Sequence, residues 1–195
     1  MSLPVRIPLL IGILAIGATA MGQSTTRITY DGRPEKLYMP RVGISSQDAK
    51  FLKDAAIANM FEIESSKLAE GRSNDTFVQQ FAKEMVVDHK AALDELATVA
   101  SSKGVTLPTS LPVDKAKIIN RLSGLQGGAF DRAYKAAQSA GHTGAKALFE
   151  RQVKAGHDED ARDYAVKNLP GVTMHLHMLK MGKTMTGPTK QENNN

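Results

Sequence analysis

The chain has 195 residues, of which 42% are hydrophobic and 5% aromatic, and it contains no Cys and no Trp. This length is enough for one domain with a substantial core, and the many small apolar residues favour closely packed helices over a β-sandwich. The absence of cysteine excludes disulfides, thiolate metal sites, cysteine nucleophiles and a lipid anchor on Cys. The net charge of +5 is spread along the chain and is not interleaved with aromatic residues, which argues against nucleic-acid binding.

The first 20 residues have the pattern of a secretory signal peptide. Arg6 supplies the positive charge, residues 7–18 form an apolar run, and Ala18-Thr19-Ala20 offers small residues for cleavage. The apolar run is shorter than the roughly 20 residues that span a membrane comfortably. We therefore predict a cleaved signal peptide over residues 1–20 and a periplasmic or secreted mature protein. An uncleaved membrane anchor is the alternative.

Three further regions follow the signal peptide. Residues 21–44 contain Gly, Pro, Ser and Thr without sustained periodicity, which predicts a flexible tether. Residues 45–186 carry the helical periodicity and form the predicted domain. Residues 187–195 are polar and predict a disordered tail.

Two long helices open the predicted domain. Ser45 and Asp48 have the spacing of a capping box, and the helix that they begin is expected to reach about Glu70. Gly71 is then expected at the C′ position with a positive φ. Ser73 or Asn74 is predicted to cap the second helix, which runs to about residue 103 and stops before a glycine.

The second half of the domain follows a proline-containing loop at 105–113. Asp114 is expected to cap a short helix, and a third long helix is predicted over 127–155. A fourth is predicted from His157 to about Met185, with Pro170 expected to kink it. Four long helices with short connections predict an all-α, ferritin-like antiparallel four-helix bundle with a short extra helix between helices two and three.

Polar residues on the apolar stripes of these helices are the candidates for chemistry. The four residues concerned are Glu62, His89, His142 and His175, one on each long helix. Imidazole and carboxylate ligands suit a divalent metal such as Zn, Fe or Cu, and bundle interiors often hold metals. One hypothesis is a metal site formed by these four residues. The alternative is that each is a core residue hydrogen-bonded to its neighbours.

Other chemistries find less support. The long helices contain no Glu-x-x-His, which is the sequence signature of a ferritin-like di-iron centre. Met174, Met178, Met181 and Met185 flank His175 and His177 and would suit Cu(I), but their spacing is also that of ordinary core packing. No common catalytic motif is present, so the sequence favours a non-enzymatic protein.

Several short motifs together resemble one bacterial family. They are Phe51-Leu52 with Glu62 and Leu68-Ala69, Phe81-Ala82 with Met85-Val86 and Asp88-His89, Phe130-Asp131 with Ala133-Tyr134, His142, and Leu169-Pro170 with His175. The chain resembles, from about residue 45 to 180, the exported ferritin-like domain of unknown function that is often labelled an outer-membrane protein. The resemblance implies export and a four-helix bundle, without a settled activity. More distantly, the chain is similar to exported helical proteins whose paired His and Met residues suggest metal handling; here a single His follows Asp88.

These observations predict an exported envelope protein that acts as a non-enzymatic binding or stress-related bundle. The alternative is a metal-binding bundle with a His/Glu site on the core faces, and a ferritin-like oxidase is the weakest hypothesis. We expect no nucleic-acid partner and at most a weak, salt-sensitive peripheral contact with the membrane or cell envelope. The sequence does not identify a protein partner.

Overall fold

The computed structural model describes residues 27–28, 34–35 and 43–183. The predicted signal peptide at 1–20 and the predicted tail at 187–195 lie outside the described residues. The chain divides into two units, residues 1–41 and residues 42–195. In the first unit, strand β1 (Arg27–Ile28) pairs antiparallel with β2 (Pro34–Glu35), inside the segment predicted to be a tether.

The second unit contains five helices in its described part. They are α1 (Ser46–Lys67), α2 (Thr76–Ser102), α3 (Val113–Ser123), α4 (Gly127–Ala155) and α5 (Glu159–Met181). A 3₁₀ helix, Leu68–Gly71, follows α1 directly. The prediction of an all-helical domain is confirmed at this level. None of the helices in the described residues combines the length and apolar character needed to cross a membrane.

Side-chain caps fix where α1, α2 and α5 begin, and in α5 the Asp158 carboxylate accepts from the Ala161 amide. The Ser45 hydroxyl accepts a hydrogen bond from the Asp48 amide at 3.1 Å, as the capping pattern predicted. The carboxylate of Asp75 accepts from the Val78 amide and caps α2. The prediction of Ser73 or Asn74 as this cap was wrong, because the Ser73 hydroxyl instead accepts the Asp75 amide.

Other helix ends differ from the predicted ones. Gly71 does not adopt a positive φ, because the chain tightens into a 3₁₀ turn before α2 and needs no left-handed residue there. Pro112 occupies the N-cap position of α3, and Asp114 lies in the first turn. Helix α5 begins at Glu159, continues as helix through Pro170, and ends at a left-handed Gly182.

Two apolar clusters form the core of the helical unit. The first contains Phe51, Leu52, Ala55, Ala56, Leu96, Ala100, Phe149, Ala161, Tyr164 and Ala165. The second contains Ala69, Val78, Phe81, Ala82, Met85, Leu122, Phe130, Tyr134 and Met178. The start of α1 and the end of α2 therefore meet the end of α4 and the start of α5 in the first cluster. The opposite ends meet in the second cluster, so α2 and α4 run in the same direction.

A buried carboxylate holds one end of this arrangement together. Asp48 accepts hydrogen bonds from the Ser45 hydroxyl at 2.6 Å, from the Gln152 amide group at 2.7 Å, and from the backbone amides of His157 and Asp158 at 3.1 Å. Burial alone would raise the pKa of Asp48, but these hydrogen bonds outweigh it and lower the pKa. Asp48 thus ties the first turn of α1 to the connection between α4 and α5.

Candidate functional site

A layer of buried polar side chains lies between the two apolar clusters. This polar layer consists of Asn59, Glu62, Ser65, Ser66, His89, Gln138, His142 and His175. Because buried polar groups are costly unless they are paired, such a layer in a small helical core requires an explanation. Four of its members are the candidate ligands that the sequence singled out, and all four are buried as the apolar stripes predicted.

The structure brings three of those four candidates together. One ring nitrogen from each of His89, His142 and His175 lies within 4.8 Å of the other two. The ring centroids are 5.2–5.5 Å apart, and Nε2 of His142 is 3.2 Å from Nδ1 of His175. Three helices, α2, α4 and α5, each supply one ring to this His cluster. The cluster forms where the central parts of α2 and α4 and the second half of α5 meet, between the two apolar clusters.

The hydrogen bonds on the outer side of His89 determine its protonation pattern. The Tyr164 hydroxyl donates to the backbone carbonyl of Ala92, so it accepts from the Asn59 amide nitrogen. The Asn59 carbonyl oxygen is then the atom that faces Nδ1 of His89 at 2.8 Å. Since that oxygen can only accept, Nδ1 carries the proton. The other ring nitrogen of neutral His89, Nε2, then carries a lone pair, and this atom is buried without a hydrogen-bond partner in the described structure.

The same reasoning applies to the other two rings. Nδ1 of His142 faces the backbone carbonyl of Gln138 at 3.0 Å, and Nε2 of His175 faces the Asp88 carboxylate at 3.1 Å. Both oxygens accept, so both of these nitrogens carry protons. Nε2 of His142 faces Nδ1 of His175. In the neutral rings both of these nitrogens therefore carry lone pairs. Two facing lone pairs repel unless a cation lies between them.

Protonation of the cluster is opposed by its surroundings. Burial lowers the pKa of His89 well below its ordinary value, and the charges of the other two rings would lower it further. Burial lowers the pKa of His142 to about 4, with His175 contributing in the same direction. Burial also lowers the pKa of His175, although Asp88 acts against that shift. At neutral pH the cluster is thus a set of neutral imidazoles, the form that coordinates metals.

Glu62, the fourth candidate, lies beside the cluster and is not one of the three clustered groups. Its Oε1 is 3.7 Å from Nδ1 of His142, the nitrogen on the side of that ring away from His175. Burial raises the pKa of Glu62 to about 8, while Gln138 and the charge of Lys115 act to lower it. Its Oε2 is buried without a hydrogen-bond partner in the described structure. Glu62 therefore faces the protonated side of His142 as a neighbouring carboxyl group.

Glycine at position 141 makes room for the Glu62 carboxyl group. A Cβ atom at Gly141 would overlap Oε1 of Glu62 and lie 3.6 Å from the Phe61 ring, whereas a Cβ at Gly144 would meet nothing within 4 Å. We expect Gly141→Ala to lower the free energy of unfolding by about 1–2 kcal/mol, because overpacking outweighs the gain in helix propensity. Gly144→Ala should instead raise it by about 0.5–1 kcal/mol. Urea denaturation of the two variants checks this, and equal effects would contradict the packing argument.

A cleft leads from the surface toward the His cluster. It has a volume of about 460 Å³, and its lining includes His89, His175, Asp88, Lys167 and Gly171. The Asp88 side chain is 45% exposed, whereas His175 is almost fully buried. Small ions and molecules can therefore approach the cluster between α2 and α5. Asp88 lies at this opening.

Sequence reasoning did not find the groups that orient the rings. The hydrogen bond between Asn59 and Tyr164 joins residues 105 positions apart, which local sequence patterns do not reveal. Nothing in the local pattern distinguishes this tyrosine from other core aromatics.

The methionines near His175 differ in burial, which their spacing did not reveal. Met178 is fully buried, while Met174 and Met181 are 37% and 57% exposed.

Comparisons with known proteins agree with the helical fold. A structure of a DUF305 fragment from Deinococcus radiodurans matches with a TM-score of 0.64 and 12% identity, covering 71% of this chain and 96% of that one. A DUF305 protein of Streptomyces coelicolor, described as a candidate secreted protein, matches with a TM-score of 0.59 and 13% identity, covering 73% and 98%. No curated protein matches the chain. Residues 38–181 match the domain of unknown function DUF4142, and the chain therefore belongs to the DUF4142 family.

Proposed function

We propose that this chain is an exported, non-enzymatic metal-binding protein that holds one transition-metal ion on His89, His142 and His175. The observation that carries the proposal is that an oxygen acceptor faces one nitrogen of each ring, which fixes where the ring proton lies. Each of the three rings donates its outer N–H to a fixed oxygen, of Asn59, Gln138 or Asp88. Each ring therefore has one unprotonated nitrogen left for the interior of the cluster.

This arrangement is the one that metal-binding histidines use. Such a histidine usually donates its second N–H to a carboxylate or a carbonyl, which fixes the ring and raises its basicity. Tetrahedral ligands at ~2.1 Å from a zinc ion lie ~3.4 Å from one another. The 3.2 Å between His142 and His175 is close to that value, and the other nitrogens are within 4.8 Å. Three-nitrogen coordination would require the His89 nitrogen to come closer to the other two by at most about 1.4 Å.

The donor set favours Zn²⁺ or Cu²⁺ over the other metals. Three neutral imidazoles without thiolates suit these two ions, and a hard ion such as Mg²⁺ prefers oxygen ligands. Iron is less favoured, because the chain lacks the paired Glu-x-x-His motifs of di-iron bundles. Three protein ligands leave a fourth position for water or another small molecule. This open position does not by itself imply catalysis, and we retain a binding role.

The finer architecture that we propose is a ferritin-like four-helix bundle. Supporting it, α2, α4 and α5 each contribute to both apolar clusters, α1 reaches the second cluster through the 3₁₀ helix that follows it, and α2 runs parallel to α4. The segment that contains α3 then acts as the single long crossover that ferritin-like bundles use.

Export through the N-terminal segment is likewise a proposal. It is supported by the signal-peptide pattern of residues 1–20 and by the secreted character ascribed to the Streptomyces coelicolor relative.

Metal analysis of the untagged protein tests the proposed site. We expect one equivalent of Zn²⁺ or Cu²⁺ to bind to the native chain, measured by equilibrium dialysis and elemental analysis. His89→Ala should weaken this binding by at least about 100-fold, because it removes one of three ligands and leaves Asn59 without its donor. His177→Ala is the matched control, since His177 is an exposed histidine on α5 outside the cluster. Native protein without stoichiometric metal, or equal loss in both variants, would contradict the proposal.

A further inference from the structure

We infer that Glu84, Asp88 and His175 form a second, outer cation site that shares His175 with the His cluster. One ligand atom from each of these three residues lies within 4.8 Å of the other two. The outer site goes beyond the proposed function, because it consists mainly of oxygen ligands and stands on its own contacts. Its ligands come from α2 and α5, the two helices that also border the cleft.

In the part of the chain that the structure describes, the two carboxylates of the outer site have no lysine or arginine partner. Glu84 and Asp88 are four residues apart on α2, so their side chains lie on the same face of the helix and repel each other. Within the described residues, neither forms an ion pair with a lysine or an arginine, and Asp88 has only the His175 ring as its partner. A divalent cation would neutralise this pair of charges and use both carboxylates as ligands.

The outer site is more accessible than the His cluster. The Asp88 side chain is 45% exposed and lines the cleft, and Glu84 is half-buried at the surface of α2. His89 and His142, by contrast, are 7% and 1% exposed. A cation that enters the cleft from solvent therefore meets Asp88 before it reaches the inner nitrogens. Negative charge at the opening also attracts cations toward the cleft.

The shared histidine couples the two sites. Neutral His175 has a single lone pair, which lies on Nδ1 while Nε2–H donates to Asp88. When the ring proton moves from Nε2 to Nδ1 through solvent, the lone pair lies on Nε2 and faces the outer carboxylates. His175 thus serves one site at a time. The outer site receives the cation, and occupation of the His cluster withdraws the shared ligand from it.

Zinc titration of the full chain carrying His142→Leu tests the outer site, because this variant loses one inner ligand and keeps all three outer ones. We expect it to bind one Zn²⁺ more weakly than the native chain does. Adding Glu84→Gln should reduce that affinity by about tenfold or more. Adding Asp94→Asn, which alters an exposed carboxylate elsewhere on α2, should leave it unchanged. Circular dichroism of each variant verifies that the helices form.

The outcomes separate this inference from the proposed function. If the native chain binds zinc at the His cluster but His142→Leu binds none up to millimolar zinc, the outer site is refuted while the proposed function stands. If the native chain and His142→Leu share the same weak, Glu84-dependent site, the outer site stands and the proposed function fails. An affinity that does not respond to Glu84→Gln also overturns the outer site. In the native chain, Glu84→Gln should slow zinc uptake about tenfold without changing the inner affinity.

Discussion

Replacing Asp48 by alanine is expected to lower the free energy of unfolding by about 3–5 kcal/mol. Asp48 is fully buried, and its carboxylate is the acceptor for the Gln152 side chain and for the backbone amides of His157 and Asp158. Removing it leaves the buried Gln152 amide group unpaired and takes the acceptor away from the two partly buried backbone amides. Each unpaired buried donor costs about 1–3 kcal/mol. Urea denaturation followed by circular dichroism measures the effect.

Asp54→Ala is the control for this prediction. Asp54 lies in the same helix, and its carboxylate pairs with Lys50 at 2.6 Å on the surface. Surface pairs of this kind contribute only about 0.3–0.5 kcal/mol, so this variant should be close to the native protein in stability. If Asp48→Ala destabilised the protein no more than Asp54→Ala does, Asp48 could not be the group that joins α1 to the α4–α5 connection.

The contribution of Asp48 should also depend on pH. Its pKa in the folded protein is lowered from the ordinary 3.8, because hydrogen bonds outweigh the effect of burial. A carboxyl group with a lowered folded-state pKa contributes stability that is fully present above its unfolded-state pKa. That contribution is lost as the pH falls through the folded-state pKa. The difference in unfolding free energy between the native protein and Asp48→Asn should therefore be constant above about pH 5 and shrink below pH 4.

Zinc should stabilise the native protein by about 4 kcal/mol when its free concentration is 1,000 times the dissociation constant. For a domain of this size, that corresponds to an increase in melting temperature on the order of 10 °C. The reason is that three ligands on three different helices come together only in the folded chain. Thermal unfolding with zinc and with a chelator measures the difference.

His142→Leu separates metal binding from packing in this experiment. In the presence of chelator we expect its unfolding free energy to lie within about 1 kcal/mol of the native value, because leucine fills a similar volume and removes the lone pair that faces His175. At the same zinc concentration, the zinc-dependent stabilisation should nevertheless be much smaller than in the native protein, because only the weaker outer site remains. Equal stabilisation of both proteins by zinc would place the metal elsewhere. A large loss of stability in chelator would instead identify His142 as a packing residue.

Local signals in the sequence were sufficient for most of the helical architecture. Periodic apolar residues, prolines and glycines placed the long helices, and the observed limits of α4 are those predicted. The signals failed at helix ends, such as Gly71, where a 3₁₀ turn replaced the expected left-handed residue. Helix ends depend on which nearby side chain or backbone group captures the free amides, and several local choices differ little in energy.

Helical phase also identified the inward direction of the candidate ligands. His89, His142 and His175 lie on apolar stripes, and an apolar stripe must turn toward the core. Phase alone does not determine how far along the axis each residue lies relative to residues on other helices. Glu62 was an equally good candidate by this criterion, yet it lies on the far side of the His142 ring.

The sequence by itself determined that this chain forms helices, which faces of those helices are buried, and that polar groups interrupt those faces. Only the tertiary structure decided that three imidazoles lie close together and that Asn59, Gln138 and Asp88 accept hydrogen bonds from their outer nitrogens. It also decided that Asp48 joins α1 to the α4–α5 connection. The physical reason is that helix periodicity follows from contacts between residues three or four positions apart. These hydrogen bonds and ring contacts, apart from the hydrogen bond to Gln138, join residues 30 to 110 positions apart. Their geometry follows from how the two apolar clusters align the helices along their axes.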